Sequence, residues 1–231
     1  MIETIAFDAD DTLWHNEVLF NGTQDRFRKL LSSDLDPERI TEELYQTEIR
    51  NLEIFGYGIK GFGLSMIETA IEVSREQVTG AQIQMILDEV KGMLRAPVEV
   101  FDGVTETLKA LADDYELMVI TKGDLFDQEA KIARSGLGDF FRHVEVVSEK
   151  NEASYRNTLT KFGLDRDRFL MVGNSIKSDV LPVVALGARA VHIPYSSTWQ
   201  HELVADEEHA NADFWTIDSI RDLPTLLQSL A

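Results

Sequence analysis

The chain contains no cysteine in its 231 residues. That absence excludes disulfides, thiolate-held zinc and a cysteine nucleophile, and it is compatible with a reducing compartment. Basic residues are scarce: 22 Lys and Arg stand against 41 Asp and Glu, a formal charge of −19. This balance repels polyphosphate backbones, so no nucleic-acid polymer is expected as a partner. A small anion stays admissible, because a cation and backbone dipoles invert the field locally. No apolar run approaches membrane-spanning length, and no basic segment followed by a signal-type apolar region opens the chain. The expectation is a soluble, cytoplasmic protein with no membrane partner. The five histidines lack paired metal-ligand spacing.

What is present is concentrated first in Ile5-Ala6-Phe7-Asp8-Ala9-Asp10-Asp11-Thr12-Leu13-Trp14. A short apolar run that stops in carboxylates reads as a buried strand delivering acids to its carboxyl end, where open α/β sheets bind ligands. Alternation along an extended segment lets Asp8 and Asp10 project to one side. Crowded carboxylates repel, and a divalent cation or a shared proton relieves them; oxygen ligands favour Mg2+. Taken alone, the same acids also suit an ordinary turn or cap.

Beyond Trp14 the periodicity is helical. Phe27, Leu30 and Leu31 share a face, Asp36-Pro37-Glu38 starts another helix, and Ile40 and Leu44 continue it. The glycine-rich stretch Phe55–Gly63 reads as a connection, Leu64, Ile67 and Ile71 resume a helix, and Ile83 to Leu94 carry one more. Residues 15–95 are therefore expected to form an all-helical insert. From Asp102 onward strands alternate with helices: Leu117–Ile120, His143–Val147, Phe169–Val172, Ala190–Ile193 and a short one near Phe214–Ile217. The expected fold is α/β, a Rossmann-like parallel sheet flanked by helices, with residues 1–14 and 96–231 as the core.

The acidic run Asp8 to Thr12, then Thr121, Lys150 and the segment Gly173 to Asp179 resemble, in order, the four motifs of the haloacid dehalogenase (HAD) superfamily. Asp8-Ala9-Asp10-Asp11-Thr12 is similar to motif I, Thr121 to motif II, Lys150 to motif III, and Gly173-Asn174-Ser175-Ile176-Lys177-Ser178-Asp179 to motif IV. The helical insert sits where C1-cap members carry their cap. The resemblance implies an Mg2+-dependent phosphatase acting on a small phosphorylated metabolite through an aspartyl-phosphate. Asp8 would be the nucleophile and Asp10 the acid and then base. Thr121, with the backbone N–H of Lys122, would hold phosphoryl oxygens, and Lys150 would neutralise phosphate charge. Mg2+ would be held by Asp8, the Asp10 carbonyl, Asp179 and the residue at 174. A dehalogenase, a phosphomutase and a non-catalytic phosphate-binding protein are the alternatives.

This chain departs from motif IV at Asn174, where the family usually has aspartate; an amide oxygen still coordinates Mg2+ but removes one charge. Asn174 could instead act through a metal-bound water or hold Asp179. Asp11 falls in a variable position and reads as a turn residue, Lys177 as a solvated face, and His15 as a hinge or packing group. Lys60, the cation of the glycine-rich stretch, is a candidate contact for a second anionic group on the substrate. The sequence assigns neither the substrate's identity nor an oligomeric state.

Overall fold

A computed structural model describes residues 1–31 and 36–230; residues 32–35 of the expected insert lie outside the described residues. Six strands form one sheet: β1 Thr4–Phe7, β2 Glu116–Lys122, β3 His143–Val147, β4 Phe169–Gly173, β5 Arg189–His192 and β6 Trp215–Thr216. Their spatial order is β3-β2-β1-β4-β5-β6 and every neighbouring pair is parallel. The helices are α1 Glu17–Leu31, α2 Pro37–Phe55, α3 Ile59–Val73, α4 Gly80–Arg95, α5 Val104–Leu111, α6 Leu125–Ser135, α7 Glu152–Phe162, α8 Leu181–Ala185, α9 Asp206–His209 and α10 Leu223–Ser229.

Two-residue alternation splits β1 between two apolar layers. Ile5 and Phe7 pack with Leu117, Val119, Leu170 and Val172 and with residues of α5, α6 and α10. Ala6 joins Met118, Ile120 and Met171 and packs with Tyr155 and Leu159 of α7 and Val183 of α8. A parallel strand buried on both faces has to be apolar throughout, which explains runs such as Leu170-Met171-Val172. Phe7 is in register with both Val119 and Val172, so Asp8 begins one residue beyond the last paired position of the central strand.

The chain divides into two compact units. One comprises Met1–Glu17, Val98–Lys122 and Gln128–Ala231; the other comprises Val18–Pro97 together with Gly123–Asp127. The second unit has its own core of Phe27, Ile40, Leu44, Ile59, Phe62, Met66, Ala70 and Ile86. Its helices begin where local chemistry directs: Asp36 accepts a hydrogen bond from Glu38 N and Pro37 occupies the first turn of α2, while Thr79 and Gln82 form a reciprocal cap on α4.

The glycine-rich stretch differs from its sequence reading. Only Gly56–Gly58 connect helices; Ile59 to Gly63 already belong to α3. Gly61 and Gly63 are there for close packing rather than for a turn. A Cβ at Gly61 would lie 2.8 Å from Gly56 O, and one at Gly63 would lie 2.5 Å from Val90 Cγ2 on α4. Composition marked these glycines as punctuation because spacing does not reveal which helix they face. Among the described residues no helix is long and apolar enough to cross a membrane.

Candidate active site

Asp8 follows β1 directly, and its backbone N–H still donates to Val172 O at 2.9 Å, extending the ladder by one step. Its carboxylate is buried. Oδ2 accepts from the Thr12 hydroxyl at 3.0 Å and Oδ1 accepts from Lys150 Nζ at 2.5 Å. The same ammonium donates to Asp179 Oδ1 at 2.6 Å, so one cation bridges two acids that are 171 positions apart in the chain. Burial pushes the Asp8 carboxyl up to about 7; Lys150 opposes that rise and Asp179 adds to it. Burial alone would lower Lys150, yet Asp179 and Asp8 hold its pKa above the usual lysine value.

Motif IV is a tight scaffold at the end of β4. Residues Ile176–Val180 form a π-helical turn, in which Asp179 N donates to Ser175 O at 2.8 Å and Asp179 Oδ2 accepts from Ser175 N at 2.9 Å. A Cβ on Gly173 would fall 2.3 Å from Asp179 Cγ, so only glycine lets that carboxylate close on the strand end. Asn174 Oδ1 accepts from the Thr12 hydroxyl at 3.2 Å. That hydroxyl has a single proton, shared between Asp8 and Asn174. Tyr155 donates to Ser178 O at 3.0 Å, anchoring the turn on α7.

Asp10 is held by three donor side chains. Trp14 Nε1 donates to Oδ1 at 2.7 Å, Gln128 Nε2 to Oδ2 at 2.8 Å, and Lys131 Nζ to Oδ1 and Oδ2 at 2.9 and 2.8 Å. Burial would raise the Asp10 carboxyl, but Lys131 and the hydrogen bonds from Lys131, Gln128 and Trp14 pull it below the ordinary value. Asp11 sits at φ 62° and accepts from Asn16 N and Glu17 N, at 2.8 and 3.1 Å through Oδ1. It is a turn and cap residue, with burial raising its carboxyl to about 6.

Thr121 lies buried near the carboxyl end of β2. Lys122 turns its side chain to a different network: Nζ donates to Glu202 Oε1 at 2.6 Å and Ser178 Oγ at 3.0 Å. Glu202 Oε2 in turn accepts from Ser175 Oγ at 2.7 Å and Ser178 Oγ at 2.6 Å. Lys177 donates to His201 O at 2.6 Å, and so is tied down rather than freely solvated. His15 packs edge-on to Phe101, centroids 4.2 Å apart, with Nδ1 2.9 Å from Tyr195 Oη. Lys60, in the first turn of α3, pairs with Asp124 Oδ1 at 2.8 Å inside the helical unit and lies 5.3 Å from the Phe126 ring. Its charge is matched there.

Sequence reasoning did not find Lys131, Gln128 or Glu202. The first two are one helical step apart on α6, a spacing that places them on one face but does not name the acid they meet. Among the described residues no group of three or more His, Asp or Glu side chains is placed to hold a metal ion. A buried carboxylate beside a lysine, a threonine hydroxyl and a second acid is equipped for nucleophilic attack on an anionic group.

The fold and these motifs define a class. Over residues 2–187 the chain matches the haloacid dehalogenase-like hydrolase model, and it belongs to that family. It is similar to the crystal structure of a haloacid dehalogenase-like hydrolase from Xanthomonas campestris, with 41% identity, a TM-score of 0.88, and coverage of 99% of this chain and 91% of that one. It is also similar to a glyceraldehyde 3-phosphate phosphatase of Methanothermobacter thermautotrophicus, 27% identical over 98% of this chain and all of that protein. A third relative, pyrimidine 5'-nucleotidase YjjG of Escherichia coli, is 26% identical over 54% of this chain, a match spanning 55% of that protein's length.

Proposed function

We propose that this hydrolase is a phosphatase for a small phosphorylated metabolite, with Asp8 as the nucleophile. The observation that carries the proposal is the Asp8 carboxylate itself, buried at a strand end and oriented by Lys150 at 2.5 Å and Thr12 at 3.0 Å. Relatives named as a phosphatase and a nucleotidase support the substrate class.

Asp8 attacks phosphorus and the P–O bond to the leaving alcohol breaks, giving an aspartyl-phosphate; water then hydrolyses it. Asp10, ionised in the free site, takes a proton from the bound monoanion of the phosphate monoester, passes it to the leaving oxygen and later takes one from that water. Thr121 and the backbone N–H of Lys122 hold phosphoryl oxygens, and Lys150 steadies the nucleophile and offsets the developing negative charge.

The donor set fits Mg2+. Asp8 and Asp179 already converge on one positive charge, the Lys150 ammonium, and the remaining donors, Asn174 Oδ1 and the Asp10 carbonyl, are also hard oxygens. When bound, the cation supplies charge neutralisation between a carboxylate and a phosphate dianion. The helical residues 15–95 are proposed as the cap, with Lys60 reading the rest of the substrate.

Dehalogenation is the rival reading that one observation favours: Asn174 carries no charge where motif IV usually has an aspartate, which lowers the acid count. Assays of the purified protein on phosphate monoesters and on short 2-haloacids, each with Mg2+ and with excess EDTA, separate the two. Mg2+-dependent phosphate release that is lost in Asp8→Asn supports the proposal. Halide release without metal overturns it.

A further inference from the structure

Lys131 and Gln128 lie outside all four motif segments, yet both side chains are buried and both end on Asp10. Lys131 is 7% exposed and Gln128 3%. A buried lysine is a poor stabilising device, because an apolar side chain of similar volume serves packing equally well or better. What this ammonium does is specific: it meets both oxygens of Asp10, at 2.9 and 2.8 Å, and also Asn16 Oδ1 at 3.0 Å. Gln128 gives an independent sign of the same purpose. Its amide oxygen is buried without a hydrogen-bond partner, while its NH2 donates to Asp10 Oδ2 at 2.8 Å and Lys122 O at 3.2 Å. Flipping the amide would free that oxygen from isolation only by aiming it at a carboxylate and a carbonyl. Its orientation is therefore set by Asp10, at the cost of an unsatisfied acceptor.

We infer that Lys131, assisted by Gln128, is the positioning residue for the acid/base Asp10. The inference rests on the phosphatase reading above. Asp10 has two opposite proton transfers to perform and lies beyond the end of β1, where its side chain has rotamers to lose. The ammonium and the amide of α6, with the Trp14 indole, hold both oxygens of the carboxylate before substrate arrives. Misplacing a reacting group by about 1 Å costs on the order of 100-fold, so the positioning is worth measuring in turnover rather than in binding.

The test uses the full chain and a glycerol phosphate as substrate, with Asp8→Asn as the control. Lys131→Met is expected to lower kcat by roughly 10-fold to 100-fold while KM changes by no more than a factor of about 2. Lys131→Arg should recover part of the loss. Because the residue acts through Asp10, adding Lys131→Met to Asp10→Asn should cost nothing further, within a factor of about 2. Gln128→Leu should lower kcat in the same sense, and it carries the test if Lys131→Met does not fold. A normal kcat with a lowered Tm, a loss confined to KM, or losses that multiply in the double variant each overturn the inference. Wild-type protein lacking Asp8-dependent hydrolysis overturns the phosphatase reading and this inference together; wild-type hydrolysis matched by both α6 variants overturns the inference alone.

Discussion

Lys150 Nζ lies 2.6 Å from Asp179 Oδ1 and 2.5 Å from Asp8 Oδ1, and this ammonium is what lets two acids share one buried site. Lys150→Met removes the cation and leaves both carboxylates uncompensated. The variant should be less stable by about 3–5 kcal/mol in the absence of divalent metal. Mg2+ should then raise its Tm by more than it raises that of the wild type, since the cation substitutes for the missing charge. Equal Mg2+ shifts in the two proteins would place the metal elsewhere.

Asp8→Asn should abolish phosphate release while the protein stays folded, because an amide is a far weaker nucleophile than a carboxylate. Its stability should depend on pH in a defined sense. Burial raises the Asp8 carboxyl from 3.8 to about 7, so the wild type loses stability as the pH climbs through that interval. The advantage of the variant should therefore grow between pH 3.8 and about 7 and level off above it. Thermal melts of both proteins across that range check the slope.

Asn174→Asp adds a carboxylate beside Thr12 and the Asp8 carboxylate. If residue 174 faces the cation, the Mg2+ concentration giving half-maximal rate should fall. Metal titrations of initial rates read this directly, and an unchanged midpoint would remove residue 174 from the ligand set.

Glu202 ties the Lys122 ammonium to the hydroxyls of Ser175 and Ser178. Burial would raise its carboxyl, but Lys122 and the two serines hold it down at about 2 instead of 4.5. A depressed acid stabilises the fold above its unfolded pKa, and that stability is lost as the pH falls through 4.5 toward about 2. The depression corresponds to about 3 kcal/mol. Glu202→Gln should remove this part of the acid-denaturation slope, measured by urea melts at pH 7 and at pH 3.

Lys60→Ala tests the proposed substrate contact. The Lys60–Asp124 pair is 48% and 30% exposed, so its loss should cost stability no more than about 1 kcal/mol. A role toward a second anionic group on the substrate predicts a higher KM for that substrate and unchanged hydrolysis of para-nitrophenyl phosphate. Equal KM values in wild type and variant would leave Lys60 as the partner of Asp124 only.

The sequence by itself determined the strands, the order of the motifs, and therefore which acids and which lysine stand at strand ends. Those features are written in near neighbours: the apolar run before Asp8, the run Phe169–Val172 before Gly173, the acid closing motif IV. Composition also marked Gly56 and Gly58 correctly as a turn, because positive φ is a property of one residue at a time. Tertiary structure alone decided the rest. Gly61 and Gly63 lie inside α3 and are glycine because Gly56 O and Val90 approach them too closely for a side chain, and neither neighbour is visible from local spacing. Lys131 meets Asp10 across 121 positions and Glu202 meets Lys122 across 80. A buried charge takes whichever opposite charge the packing brings within about 3 Å, and that choice is made by strand order and helix docking, which no stretch of local sequence encodes.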